Sequence, residues 1–155
     1  KYDIPEWDVE ASQKAMQELI DTGHKLIFTT SSGYLASTPE MALKNPDIQF
    51  VQVPGFFFDI PNLKGIDVRL YEAYYLGGLI AGSLTQTNRI GMINGEPGIA
   101  LTVLGTNGFA IGAKTVNPDV EVFTTYTLDW VDVRKHQQAT YQLLDLNCDT
   151  VFAVS

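Results

Sequence analysis

Three short stretches of this chain carry side chains suited to contacting a ligand, and their chemistry is hydrogen bonding and stacking, not bond making. In "TTSSGYLAST", residues 29–38, Ser31 and Ser32 can donate and accept, Gly33 lets a ligand approach the backbone, and Tyr34 offers a flat apolar face with a polar tip. A plain Ser/Thr-rich turn ahead of a helix would have the same composition. "NGEPGIA", residues 94–100, sets Gly95 and Gly98 between a strand and a helix. It lacks the Gly-x-Gly-x-x-Gly fingerprint of a dinucleotide site, and Glu96 would repel a phosphate. "TLDWVDV", residues 127–133, offers the plane of Trp130 for stacking and Asp132 as an acceptor from ligand hydroxyls. The alternatives are a packing lid over a helix start for Trp130 and a helix N-cap for Asp132. A fourth loop begins at Ser155. The candidate ligand-binding set is Ser31, Ser32, Gly33, Tyr34, Glu96, Trp130 and Asp132.

Catalytic constellations are not evident. His24 falls at a helix C-terminus and His136 on a helix surface, and neither has a partner at metal-ligand spacing. No Gly-x-Ser-x-Gly elbow occurs, and the single cysteine, Cys148, suits a buried, inert thiol at a helix-to-strand junction. The expectation is a binding protein with no catalytic residue, no metal and no cofactor.

The elements that must position these loops follow from periodicity. Helices are expected over 8–22, 39–45, 69–86, 99–115 and 131–146, and strands over 25–30, 48–53, 89–94, 120–126 and 149–154, with 54–67 as a looping connection. Strands alternating with helices predict an α/β fold with parallel sheets flanked by helices. One block also recurs. Shifted from Asp8 to Asp132, the sequence repeats Asp, Val9/Val133, Gln13/Gln137, Ala15/Ala139, Leu19/Leu143, Asp21/Asp145, Phe28/Phe152 and Ser31/Ser155. Each copy has an Asp N-cap, a helix, a turn and an apolar strand, which predicts two similar lobes. Gly77, Gly78, Ala81 and Gly82 allow close packing of the helix between them. The lobes are expected over 1–87, including that crossover helix, and 88–155. A cleft between the carboxyl ends of their strands is where small ligands bind in open α/β sheets.

The bulk numbers narrow the partners. The chain has 155 residues and a formal charge of −8, with no basic run, which argues against nucleic acid. The longest apolar stretches are about strand length, short of the roughly 18 residues of a membrane span. The abrupt charged start, "KYDIPEW", and the stop just after a strand read as a fragment of a longer protein.

Together, "LIFTTSSGY", "NPDIQFVQVPG", "RLYEAYYLGGLIAG", "RIGMING", "NGFAIGAKTVNPDVEV" and "DWVD" resemble the basic membrane protein family, in order and over nearly the whole chain. The resemblance implies substrate-binding lipoproteins of ABC transporters, several of which bind purine nucleosides. It implies the type I periplasmic-binding-protein fold, with two Rossmann-like lobes and three crossovers. It also implies that Tyr34 sits where the family has an aromatic in a Ser-Phe-Gly-[Phe/Tyr] loop. Trp130 would be the aromatic that stacks on the base, just before Asp132. Ser32 replaces a common Phe, and "GEPGIAL" stands where many members have a Phe-Pro-x-Pro-Glu loop. The expected function is capture of a small ligand, a purine nucleoside, by an extracytoplasmic protein. It would be anchored to the membrane only through lipid outside these residues and would deliver to an ABC permease. A cytoplasmic ligand-sensing regulator of the same fold and a nucleoside-processing enzyme are the alternatives.

Overall fold

In the computed structural model, residues 7–154 are described. The chain divides into two compact units between Val68 and Arg69.

The first unit is a three-stranded parallel sheet with helices against it. Helix α1, Val9–Asp21, starts where the Asp8 side chain accepts from the Ala11 N–H at 2.9 Å, as the expected N-cap. Strand β1 is Leu26–Thr29, helix α2 Ser37–Lys44 and strand β2 Gln49–Gln52. A strand absent from the sequence reading, β3 at Leu63–Gly65, falls in the stretch expected to loop. Non-local pairing makes it: Phe50 lies opposite Leu63 and Gln52 opposite Gly65 in a sheet of order β1-β2-β3. The buried Asn62 side chain holds the entry to β3 by donating to the carbonyls of Ala42, Asn45 and Ile48 at 2.8–3.0 Å. Met16, Ile27, Met41, Ala42, Ile48, Phe50 and Leu63 form the core.

The second unit contains helix α3, Leu70–Leu84; strand β4, Arg89–Asn94; helix α4, Ala100–Val116; strand β5, Glu121–Tyr126; helix α5, Val133–Asp145; and strand β6, Thr150–Ala153. Its parallel sheet has the order β5-β4-β6. Both faces of the central strand are covered, which is why "IGMI" is apolar throughout. Ile90 and Met92 pack with Tyr74, Ala81, Phe109 and Ala113 of α3 and α4, while Ile93 packs with Ala139 and Leu143 of α5. Phe152 of β6 stacks on Phe109 with ring centroids 5.2 Å apart.

The sequence reading grouped the glycine-rich helix with residues 1–87. In the structure α3 belongs with the second unit, because its small residues meet α4. A Cβ on Gly78 would overlap the Phe109 carbonyl, and one on Gly112 would overlap the Tyr75 carbonyl. The two backbones therefore approach with no side chain between them.

The recurring block is visible as geometry. Asp132 caps α5 as Asp8 caps α1, accepting from Arg134 N–H at 2.9 Å. Both helices then end in the same left-handed turn. The N–H groups of Gly23 (φ +91°) and His24 donate to Ile20 and Leu19, and those of Asn147 (φ +61°) and Cys148 donate to Leu144 and Leu143. Beyond the second turn, the Asp149 carboxylate accepts from Thr85 Oγ1 (2.6 Å), Gln86 N–H (2.6 Å) and Thr87 N–H (2.9 Å). This joins the segment after α3 to the start of β6. The Thr85 hydroxyl, with the Gln86 and Thr87 N–H groups, lowers its pKa from 3.8 to about 2.

Two outcomes are expected. Gly112→Ala would gain up to about 1 kcal/mol in an open helix. Here it should instead cost about 1–3 kcal/mol through overpacking, read as a lower urea midpoint. A neutral result would place the helices farther apart than described. The Asp149 carboxylate is favoured in the folded state, so its stabilisation is complete above about pH 4 and is lost as pH falls through about 2. The stability difference between wild type and Asp149→Asn should therefore shrink across that interval. A difference that stays constant would remove the carboxylate's charge from the account.

Candidate functional site

Because each sheet is parallel, the loops after its strands gather at one end, so each unit presents its own candidate surface. In the first unit, Ser31, Ser32, Gly33 and Tyr34 form a single tight turn. The backbone at Ser32–Tyr34 is 3₁₀, and the Ser31 side chain accepts from the Gly33 N–H at 3.2 Å. Tyr34 is half-buried and its carbonyl accepts from the Thr38 hydroxyl at 2.9 Å.

A residue the sequence reading passed over holds this turn in place. Gln52, at the end of β2, is 0% exposed. Its Nε2 donates to the carbonyls of Ser31 (2.8 Å) and Pro54 (3.1 Å), while its Oε1 accepts from the hydroxyls of Thr29 (2.7 Å) and Thr38 (2.8 Å). The loops after β1 and β2 and the start of α2 are thereby fastened to one amide. The only signal in the sequence is a polar residue inside "FVQVP".

In the second unit, Trp130 lies with its ring directly over Gly95, where a Cβ would overlap the indole. The "NGEPG" and "DWVD" loops are thus in contact, with half-buried Glu96 next to Gly95. The loop carrying Trp130 is built largely by Asp129, which the sequence reading did not single out. Its Oδ1 accepts from the N–H groups of Val131 and Asp132, both at 3.0 Å, and its Oδ2 faces Lys135 Nζ at 3.2 Å. Those two backbone donors, then the ammonium, hold the Asp129 carboxyl below its ordinary range. Asp132 serves as the N-cap, using Oδ1. His136, expected on a helix surface, is half-buried with a ring nitrogen 3.2 Å from the Asp129 carbonyl, so it also supports this loop. Thr127 N–H and Leu128 N–H donate to Asn94 and Gly95 at 2.9 Å, closing the loop onto β4.

Asn94 itself is 0% exposed; its Nδ2 donates to Thr106 Oγ1 at 3.2 Å while its Oδ1 finds no partner among the described residues. His24 lies in the turn after α1, with its Nδ1 3.0 Å from the Leu19 carbonyl. Cys148 is buried, and burial raises its thiol pKa. Among the described residues no three metal-ligating side chains cluster and no helix is long and apolar enough to cross a membrane. A cavity of about 470 Å³ on the flank of β5, against Gln142 and Leu146, contains none of the candidate residues. What the loops offer is an aromatic plane, hydroxyls, carboxylates and backbone, which suits recognition of a polar ligand with a flat ring.

Gln52→Leu should destabilise the protein by about 1–3 kcal/mol, because the Ser31 and Pro54 carbonyls and the Thr29 and Thr38 hydroxyls each lose a partner. Chemical denaturation checks this, and a loss below about 0.5 kcal/mol would mean that water replaces the amide at no cost.

Comparison with known proteins gives the family. A purine-binding protein of Brucella abortus is 33% identical over 140 residues, covering 90% of this chain and 39% of that protein. An ABC transporter nucleoside-binding protein of Lactococcus lactis is 29% identical over 130 residues, covering 84% and 37%. A protein of Haloferax volcanii with a provisional ABC transporter glucose-binding name is also 29% identical, over 140 residues, covering 90% and 35%. The chain thus spans less than half the length of these curated relatives. The solved ABC transporter solute-binding protein of Aeropyrum pernix shares the fold, with a TM-score of 0.83 at 17% identity, over 95% of this chain and 43% of that one. The family profile for PnrA-like ABC transporter substrate-binding proteins matches residues 5–155, and the chain belongs to that family, Bmp.

Proposed function

We propose that this chain is part of an extracytoplasmic, lipid-anchored solute-binding protein of an ABC importer. It captures a purine nucleoside between two lobes and hands it to a membrane permease after hinge closure. The observation that carries this reading is Trp130, held over Gly95 by the Asp129 and Asp132 hydrogen bonds at the carboxyl end of the sheet. An indole fixed in that way is already ordered, so stacking on a base costs little side-chain entropy. A well-placed aromatic pair contributes about 0.5–1.5 kcal/mol beyond area burial.

Asp132 caps its helix through Oδ1, which leaves Oδ2 for a ribose hydroxyl. Ser31, Ser32 and Tyr34 supply hydroxyls and Gly33 backbone from the first lobe, and Glu96 lies beside the Trp130 contact. The purine-binding and nucleoside-binding relatives support the ligand class. The glucose name of a third relative makes a sugar the alternative to be tested.

The experiment is a fluorescence and thermal-shift titration of the full-length protein with purine and pyrimidine nucleosides, free bases and glucose. Saturable binding of a purine nucleoside, weakened about tenfold or more by Trp130→Ala, is the expected result. Asp132→Asn should keep the cap and weaken nucleoside more than free base. A response to glucose alone would overturn the ligand. Silence across the panel would favour a regulator that answers to a partner, and release of free base would favour an enzyme.

A further inference from the structure

The connection between β2 and β3, "PGFFFDIP", carries an aromatic turn that the first unit leaves unburied. Phe58 and Ile60 pack against the core, but Phe56 is 44% exposed and Phe57 91% exposed. Such exposure of a large apolar ring is disfavoured in water, and here nothing in the unit's interior requires it. The backbone beneath the turn is nonetheless firmly held. Gly55 N–H donates to the Ile66 carbonyl and Ile66 N–H to the Gln52 carbonyl, both at 2.9 Å, and a Cβ on Gly65 would overlap the Phe56 carbonyl.

Two further observations give this turn a direction and a size. It leaves the sheet at the carboxyl end of β2, beside the Ser31–Tyr34 turn, and the Gln52 amide joins the two by donating to Ser31 and Pro54. An open cavity of about 400 Å³ lies on the β3 side of this turn, lined by Gly55, Phe56, Phe57, Phe58, Lys64 and Asp67. That volume is within the range of small-ligand sites. Its chemistry is an aromatic wall with one cation and one carboxylate at the rim, complementary to a planar heterocycle that carries both acceptors and N–H donors.

The geometry points to Phe56 and Phe57 as an aromatic subsite of the first unit, in which Phe57 stacks on the ring of a purine-type heterocycle. Lys64 and Asp67 meet polar groups on the ring's edge. This rests on the nucleoside reading above and adds to it a binding surface contributed by a segment between two strands.

Isothermal titration of the full-length protein with adenosine and guanosine tests it, comparing wild type, Phe57→Ala, Phe57→Trp and the exposed control Leu43→Ala. Because Phe57 is exposed, all variants should keep the wild-type urea midpoint. Phe57→Ala should bind at least tenfold more weakly, while Phe57→Trp, which keeps a stacking plane, should stay within threefold of wild type and Leu43→Ala should match it. Nucleoside binding by wild type with Phe57→Ala within twofold would overturn this inference and leave the proposed function standing. If uptake into cells fell while affinity held, the turn would be assigned to the permease instead. Failure of wild type to bind either nucleoside would overturn both readings.

Discussion

Two helices that present backbone to backbone can approach more closely than any pair separated by side chains. In the second unit Gly78 and Gly82 on α3 face Phe109 and Ala113 on α4, and Gly108 and Gly112 on α4 face Tyr71 and Tyr75 on α3. Placing the backbones this close lets Tyr74 and Phe109 reach Phe152 and Met92 in one dense cluster under the sheet. Strand β4 is central in that sheet; the Gly95 loop departs from its end, and the Trp130 loop, which departs from the neighbouring β5, closes onto it. A wider helix pair would move the floor on which the Trp130 loop stands. Glycine lowers helix propensity, so its repeated use here indicates that the approach distance matters more than local helical preference.

The loops themselves are shaped by short-range polar contacts, and the two units use different devices. In the first unit one buried amide, Gln52, satisfies carbonyls from two loops and hydroxyls from a strand and a helix. In the second, carboxylates gather backbone N–H groups: Asp129 for the turn and Asp132 for the helix start. Both arrangements fix loop backbone without covering it in apolar side chains, which leaves surface for a ligand. Asn94 departs from the pattern, its buried amide oxygen finding no partner among the described residues. An orphan acceptor of this kind weakens the local structure relative to a fully satisfied network.

Features written in local chemistry were legible in the sequence. Strand β4 at Arg89–Asn94 has the expected bounds, and Asp8 and Asp132 cap their helices. The block shared between Asp8 and Asp132 reappears as matching caps and matching left-handed turns, because caps depend on residues within a few positions of each other. The family motifs were likewise readable, since Gly108, Phe109, Gly112 and Ala113 within them lie on the surface that must approach α3. What depends on distant partners was not legible. Strand β3 exists because β2 pairs with it, in a stretch whose Pro54 and Pro61 argue for a loop. The small face of α3 announces close packing but not its partner, which is α4. Gln52 and Asp129 are ordinary polar residues until the carbonyls and N–H groups they serve are brought around them.

Where backbone meets backbone there are no rotamers to rearrange. Elsewhere in a protein core, small displacements are absorbed by side chains hopping between staggered wells, and each hop dissipates part of the displacement. Between α3 and α4 the contacts at Gly78 and Gly112 are backbone against backbone, and sliding one helix would bring rigid carbonyls into collision. Sliding one helix along the other is therefore the displacement that these two contacts resist most directly.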